Sequence, residues 1–211
     1  MDYKEFNIDS WNRKDQYEFF KTYDDPYFNL TTQIEVTNLY NYCKKNDLSF
    51  FLACLHLTVE SANEIMEFRL RIIDKKLVEF KSINIGSTVL NDDKTFSFCY
   101  FKRENSIEEF DCSGKIVLQR HREGTEFDAN EDYLDLIHCS FIPWVSFTSF
   151  KHARNKELES SGIPKFVFGK YVEENKKIRM PFSIEVHHAL MDGLHVGEFL
   201  EIFQDKINSL E

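Results

Sequence analysis

The sequence predicts one α+β or mixed-sheet domain over residues 1–211, and three observations predict it. Apolar residues step by three and four around 49–67 and 194–210, as one buried face of a helix requires. Between 70 and 101, and again from 136 to 186, apolar and β-forming residues come in short runs bounded by polar turns. The length suffices for one substantial core and is short for two, and neither an internal repeat nor a linker is visible.

After an extended start, "WNRKDQYEFFKTY" (11–23) reads as a short helix with Trp11 and Phe19 as anchors. "LTTQIEVT" (30–37) alternates like a strand, with Leu30, Thr32, Ile34 and Val36 on one side. A helix from Thr37, a candidate N-cap, to about Lys45 comes next. A longer helix runs from about Ser49 to Glu67, with Leu52, Leu55, Val59, Ala62 and Met66 as its stripe. "LRIIDKKLVEF" (70–80) reads as a hairpin turning at Asp74 and Lys75, and "TFSFCYF" (95–101) as a strand. A helix at about 106–121 carries "DCSG", whose glycine argues against it. "LIHCSFIPWVSF" (136–147) is a strand broken at Pro143. "KFVFGKYVEENKKIRMPFSIEV" (165–186) is a hairpin with the polar "EENKK" as its turn. The closing "LHVGEFLEIFQDKINSL" (194–210) is an amphipathic helix with Val196, Phe199, Leu200, Phe203, Ile207 and Leu210 as its stripe.

A net charge of −10 argues against a general binder of nucleic acid or anionic membrane, because phosphate recognition rests on basic patches. A phosphate-bearing small ligand stays open if a few lysines are placed locally. The five cysteines are scattered with no CxxC pair, so neither a disulfide framework nor a metal site is expected. The start "MDYKEFNIDSW" has no signal-like apolar run, and no later segment approaches the length that spans a bilayer. The expectation is a reduced, cytoplasmic protein without a membrane partner.

The stretch "SIEVHHALMDGLHVGEF" (183–199) sets two histidines at a strand end. Strand parity puts Phe182, Ile184, Val186 and His188 on one face and Ser183, Glu185 and His187 on the other. His188 therefore leaves the apolar face toward an interior or a cleft, where a histidine tends to stay neutral and able to accept a proton. On parity alone, a buried histidine satisfied by backbone is the stronger reading. Asp192 is equally well explained as the N-cap of the last helix, with Gly193 easing the turn.

"HHALMDG" nevertheless resembles the HxxxDG motif of the CoA-dependent acyltransferases. With "WNR" (11–13), "FIPWVSFTSF" (141–150), "FGKY" (168–171) and "MPFSIEVHHALMDGLHVGEFL" (180–200), in that order and spacing, the whole chain resembles the chloramphenicol acetyltransferases. The resemblance implies a mixed β-sheet flanked by helices, assembled as a homotrimer with active sites between subunits. It implies an O-acetyltransferase that uses acetyl-CoA as co-substrate and inactivates chloramphenicol by general-base catalysis in a ternary complex. His188 matches the base, Ser140 the oxyanion donor, and Asp192 an aspartate that pairs with an arginine, here Arg13. Trp144, Lys170 and Tyr171 match positions lining the CoA route. Phe20, Phe28, Phe96 and Phe127 match aromatic positions at the acceptor pocket, with Val167 where a threonine is expected.

The acceptor region departs from the family pattern. "TYDDPYFNL" (22–30) brings Tyr23, Asp24, Asp25, Pro26 and Tyr27 where an apolar wall is usual, and Phe98 stands where a small residue is common. Two alternatives to chloramphenicol acetylation follow. One is the same chemistry with another hydroxylated acceptor or acyl donor, favoured if Asp24 or Asp25 faces the acceptor cavity. The other is a trimeric binding protein without catalysis, disfavoured by the joint presence of Ser140, His188, Asp192 and Arg13.

Overall fold

In the computed structural model, which describes residues 2–123, 133–153 and 161–211, the chain forms two sheets packed with helices. The elements are β1 (Tyr3–Glu5), α1 (Lys14–Phe20), β2 (Tyr27–Glu35), α2 (Thr37–Asn46), α3 (Phe50–Glu64), β3 (Leu70–Ile73), β4 (Lys76–Phe80) and β5 (Asn84–Leu90). Then follow β6 (Phe96–Phe101), α4 (Ile107–Glu123), β7 (Leu136–Ile142), β8 (Lys165–Gly169), β9 (Val172–Glu174), β10 (Lys177–His187) and α5 (Gly193–Asn208). The small sheet is ordered β1-β4-β3, and the large one β2-β10-β8-β7-β5-β6, with β9 added beside β10. β7 runs parallel to β5 and β8 and the other pairs are antiparallel, so the large sheet is mixed, as expected.

One face of the large sheet meets the helices through stacked rings. Phe168 of β8 lies 4.4 Å from Phe182 of β10, which lies 5.3 Å from Phe203 of α5. Phe166 and Phe199 extend the same cluster, and all five rings are fully buried. Burying such side chains contributes roughly 1.5–3 kcal/mol each. α3 runs through the middle. Beyond the stripe of Leu52, Leu55, Val59 and Ala62, its Ala53, Cys54, Leu57 and Thr58 are buried as well. Gly114 does not break α4: a Cβ there would meet Leu52 Cδ2 at 2.7 Å, so the glycine lets α4 approach α3 closely.

Several local expectations need correction. Phe19 is 58% exposed and is no anchor; Tyr17, two residues earlier on the opposite side of α1, is buried beside Trp11. Val36, not Thr37, caps α2, and the Thr37 hydroxyl instead accepts a bond from the Ile178 amide. α3 stops at Glu64, and Met66 falls in a 3-10 turn, Met66–Arg69. Strand β5 is absent from the elements that the sequence predicts. Parity sets His187 on the more polar side of β10, yet it is buried, because that face is covered too. Ser183 there bonds Asn29 and Thr31, Glu185 lies 3.3 Å from His152, and His187 packs edge-on to Tyr27.

The turns follow backbone chemistry. Asp74 and Lys75, and again Asn175 and Lys176, all have positive φ, the conformation that two-residue hairpins need to match strand twist. Arg71 ties the sheets together: fully buried, it donates to the carbonyls of Leu134, Phe68, Leu70 and Leu136. Burial pushes its pKa down to about 10, still far above neutrality. No helix among the described residues is long and apolar enough to cross a membrane.

Candidate active site

β10 ends at His187, and the chain turns over 188–192 before α5 begins. His188 is fixed by three contacts. Its amide donates to Pro26 O at 2.7 Å, its ring stacks on Phe20 at 3.9 Å and 17°, and Phe28 closes a second side at 4.8 Å. Nδ1 lies 3.2 Å from Met191 O, a carbonyl that can only accept. The neutral ring therefore carries its hydrogen on Nδ1 and presents Nε2 as a lone-pair acceptor, the form that a general base requires.

Asp192 does two things at once. Its Oδ1 accepts the Leu194 amide at 3.0 Å and caps α5, while its Oδ2 pairs with Arg13 Nη1. The other Arg13 nitrogen, Nη2, points to the carbonyl of His188 at 3.4 Å. Burial opposes the carboxylate charge, yet Arg13, the Leu194 amide and His195 together hold the Asp192 carboxyl below the usual carboxylate range. A helix start adds its own preference for a negative charge. Capping and ion pairing are therefore one arrangement.

The remaining polar group lies elsewhere on the same chain. Ser140 of β7 pairs in register with Val167 of β8, and Val167 with Ser183 of β10. Thr88 of β5 donates to Ser140 Oγ at 3.3 Å, which leaves the Ser140 hydrogen to be given to a third group. Phe98 is the cross-strand partner of Thr88, and Phe96 that of Leu90 one step along. Phe96 is 50% exposed. Ser183 precedes His188 by five residues, and β10 lies two strands from β7. At about 3.3 Å per residue and about 4.8 Å per strand, Ser140 and His188 of one chain are on the order of 20 Å apart. His188 and Ser140 thus lie at two separate places on the chain.

Trp144, Lys170 and Tyr171 lie just beyond the ends of β7 and β8, the end toward which Ser140 is placed. Lys170 N bonds Val145 O at 2.9 Å and joins the two segments. Trp144 is 63% exposed, and the Tyr171 ring lies 5.6 Å from Tyr40. Phe127 lies outside the described residues. Asp24 and Asp25 are exposed, and Asp25 lies 3.8 Å from Lys151. Tyr23 joins Phe19 and Phe20 in an aromatic cluster with centroids 5.0–5.3 Å apart. Among the described residues, no group of three or more His, Cys, Asp or Glu is placed to hold a metal ion.

Three neighbours escape the sequence reading. Thr88 sits on the unrecognised β5, where the alternation of Ile83, Ile85, Ser87 and Val89 is the available signal. His195 is the third residue of α5 and bonds back to the Asp192 amide, a capping-box pattern legible as Asp followed three residues later by a polar group. Glu67 reaches this place only through tertiary structure.

Comparisons with known proteins identify the family. The family model for chloramphenicol acetyltransferase matches residues 1–204. A chloramphenicol acetyltransferase of Proteus mirabilis is 29% identical over 199 residues, covering 94% of this chain and 91% of that protein. The Escherichia coli protein named chloramphenicol acetyltransferase 3 is 28% identical, covering 99% of each. A solved chloramphenicol acetyltransferase superposes with a TM-score of 0.89 at 26% identity, covering 96% of this chain and 98% of that one. A probable dihydrolipoamide acetyltransferase of Listeria monocytogenes shares the fold, with a TM-score of 0.67 at 15% identity. With a family match that spans residues 1–204 and a solved member that superposes over nearly the whole chain, the chain belongs to the chloramphenicol acetyltransferase family of acyltransferases.

Proposed function

We propose that this protein transfers the acetyl group of acetyl-CoA to a hydroxyl of chloramphenicol, with His188 as general base. The observation that carries the reading is the imidazole of His188, stacked on Phe20 and bonded through Nδ1 so that Nε2 is the acceptor. In a ternary complex, Nε2 takes the proton of the acceptor hydroxyl as its oxygen attacks the thioester carbonyl. The Ser140 hydrogen, left over from the Thr88 bond, goes to the developing oxyanion, a donation worth on the order of 3 kcal/mol. Collapse of the tetrahedral adduct breaks the carbon–sulfur bond, and the departing thiolate takes back the proton from the imidazolium. Phe20, Phe28 and Phe96 supply apolar surface for the acceptor, and Val167 lies beside Ser140 in the sheet. Trp144, Lys170 and Tyr171 offer aromatic and cationic groups to CoA. Asp25 is turned to Lys151 of its own chain, which weakens the case for a cationic acceptor.

Separation of His188 from Ser140 by about 20 Å within one chain supports a second part of the reading. His188 of one subunit works with Ser140 of another, in a homotrimer with sites between subunits. Release of free thiol from acetyl-CoA in the presence of chloramphenicol is the direct assay. His188→Ala should lose at least about 10²-fold in kcat, and Ser140→Ala a comparable factor with KM little changed. Each variant alone is then nearly inactive, but co-expressed chains recover activity at those interfaces that join an intact His188 to an intact Ser140. Failure to release thiol with chloramphenicol refutes the acceptor, and absence of recovery in mixed assemblies refutes the shared site.

A further inference from the structure

Beside the Asp192–Arg13 pair, a second imidazole is built into the start of α5. His195 is 8% exposed. Its Nε2 lies 3.6 Å from Glu67 Oε1, and its Nδ1 lies 3.0 Å from Asp192 Oδ1 and 3.2 Å from Asp192 N. The two Nδ1 contacts belong to different protonation states. A neutral ring with its hydrogen on Nε2 accepts the Asp192 amide at Nδ1 and gives nothing to Oδ1. A protonated ring gives up the Asp192 amide, donates from Nδ1 to Asp192 Oδ1 and sets its charge beside Glu67, 3.6 Å from Nε2. In that state Oδ1 takes two donors, the ring and the Leu194 amide, and Oδ2 is left to Arg13. The charged groups facing the ring are Glu67 from the 3-10 turn, Asp192 from the helix start and Arg13 from the segment before α1.

We propose that His195, paired in charge with Glu67, is a positioning residue of this acyltransferase: as an imidazolium donating from Nδ1 it fixes Asp192 on Arg13, whose other terminal nitrogen holds the His188 carbonyl. The chain of contacts runs from Glu67 through His195, Asp192 and Arg13 to the backbone of the base, and it rests on the reading of His188 as that base. Burial opposes a charge on His195, but the nearby Glu67 carboxylate and the field of Asp192 outweigh it, so its pKa stands above the usual histidine value. The sign follows. A raised histidine keeps its contribution in full below about 6.5 and loses it as pH rises through the folded value. The ordering of Asp192 is therefore complete at mildly acid pH and relaxes on the alkaline side.

The test compares wild type with Glu67→Gln and His195→Gln, using kcat and KM across pH with acetyl-CoA and chloramphenicol. Nitrogen-15 spectra of the imidazoles are recorded on the same proteins without substrate. Wild-type kcat should decline on the alkaline side with KM unchanged, and Glu67→Gln should move that decline to lower pH. His195→Gln, which cannot charge, should lose the decline and run roughly tenfold slower at about pH 6.5, as expected for a slightly misplaced catalytic group. The spectra should show both His195 nitrogens protonated at that same pH. Should His195→Gln fail to fold, the shift in Glu67→Gln and the spectra still decide. Wild-type kcat and profile in His195→Gln, or a neutral His195 ring at that pH, overturns the proposal. Turnover that survives in His188→Ala removes the base and the positioning role together, whereas a neutral His195 beside an inactive His188→Ala removes the positioning role alone.

Discussion

Replacing Asp192 with asparagine separates its two duties. The asparagine side chain keeps an oxygen for the Leu194 amide, so the cap of α5 survives. It loses the charge opposite Arg13 and can turn an amide N–H toward a group that only donates. Arg13 has little else: its side chain is 9% exposed, its other described bond is to the His188 carbonyl at 3.4 Å, and its Nε is buried with no described partner. Stranding a buried partner costs about 3–5 kcal/mol. Here the carboxylate is 35% exposed, so water screens part of the field and the expected loss is about 2–3 kcal/mol. In a chain of this length each kcal/mol moves Tm by about 2–4 °C, so the variant should melt roughly 5–10 °C lower. Thermal and urea unfolding at one fixed protein concentration provide the assay, since any association of copies links stability to concentration. Asp192→Ala should lose about 1 kcal/mol more, the value of the cap. The double variant with Arg13→Met should lose about 2 kcal/mol less than the sum of the single losses. An Asp192→Asn protein within about 0.5 kcal/mol of wild type, or strictly additive losses, would show that the aspartate is a cap and nothing more.

Two further outcomes test the frame around the site. Arg71→Met leaves four backbone carbonyls without their donor and should cost about 3–5 kcal/mol in urea unfolding, with Arg71→Lys recovering part; a loss under about 1 kcal/mol refutes the role as a tie between sheets. Gly162→Ala forces φ of +80° on an alanine and drives its Cβ into Leu190, two residues from His188, so a loss of about 2 kcal/mol together with reduced kcat is expected, and an unchanged Tm would mean the loop simply shifts.

What can be read from the sequence is whatever local periodicity controls. The stripe of α5 and the hairpin at Asp74 and Lys75 are legible because each rests on neighbours within a few residues. Phe19 misleads because the register of α1 depends on where its first turn starts, at Lys14 rather than Trp11. β5 is lost because Gly86 and Ser87 dilute its alternation, although its neighbours β6 and β7 define it firmly. His187 misleads for another reason. Parity assigns a side to a residue but says nothing about what covers that side, and here Tyr27 and Ala189 take up the ring.

The site is legible as a set of residues and illegible as a geometry. His188, Asp192 and Arg13 meet through 175 and more residues of separation, and motif spacing around Asp192 carries no trace of the Arg13 contact. Parity does anticipate that His188 leaves the apolar face, and the ring indeed lies between Phe20 and Phe28. Strand order decides the rest. β10 is antiparallel to β8, which is parallel to β7, so the end that carries His188 is opposite the end that carries Ser140. No side-chain rotation spans two strands and five residues. Under the proposed mechanism, a base and an oxyanion donor at opposite ends of one rigid sheet call for a second copy to supply one of them. The same proposal gives the rigidity a use, because sheet register around Ser140 and the α5 cap beside His188 hold both groups before any substrate arrives.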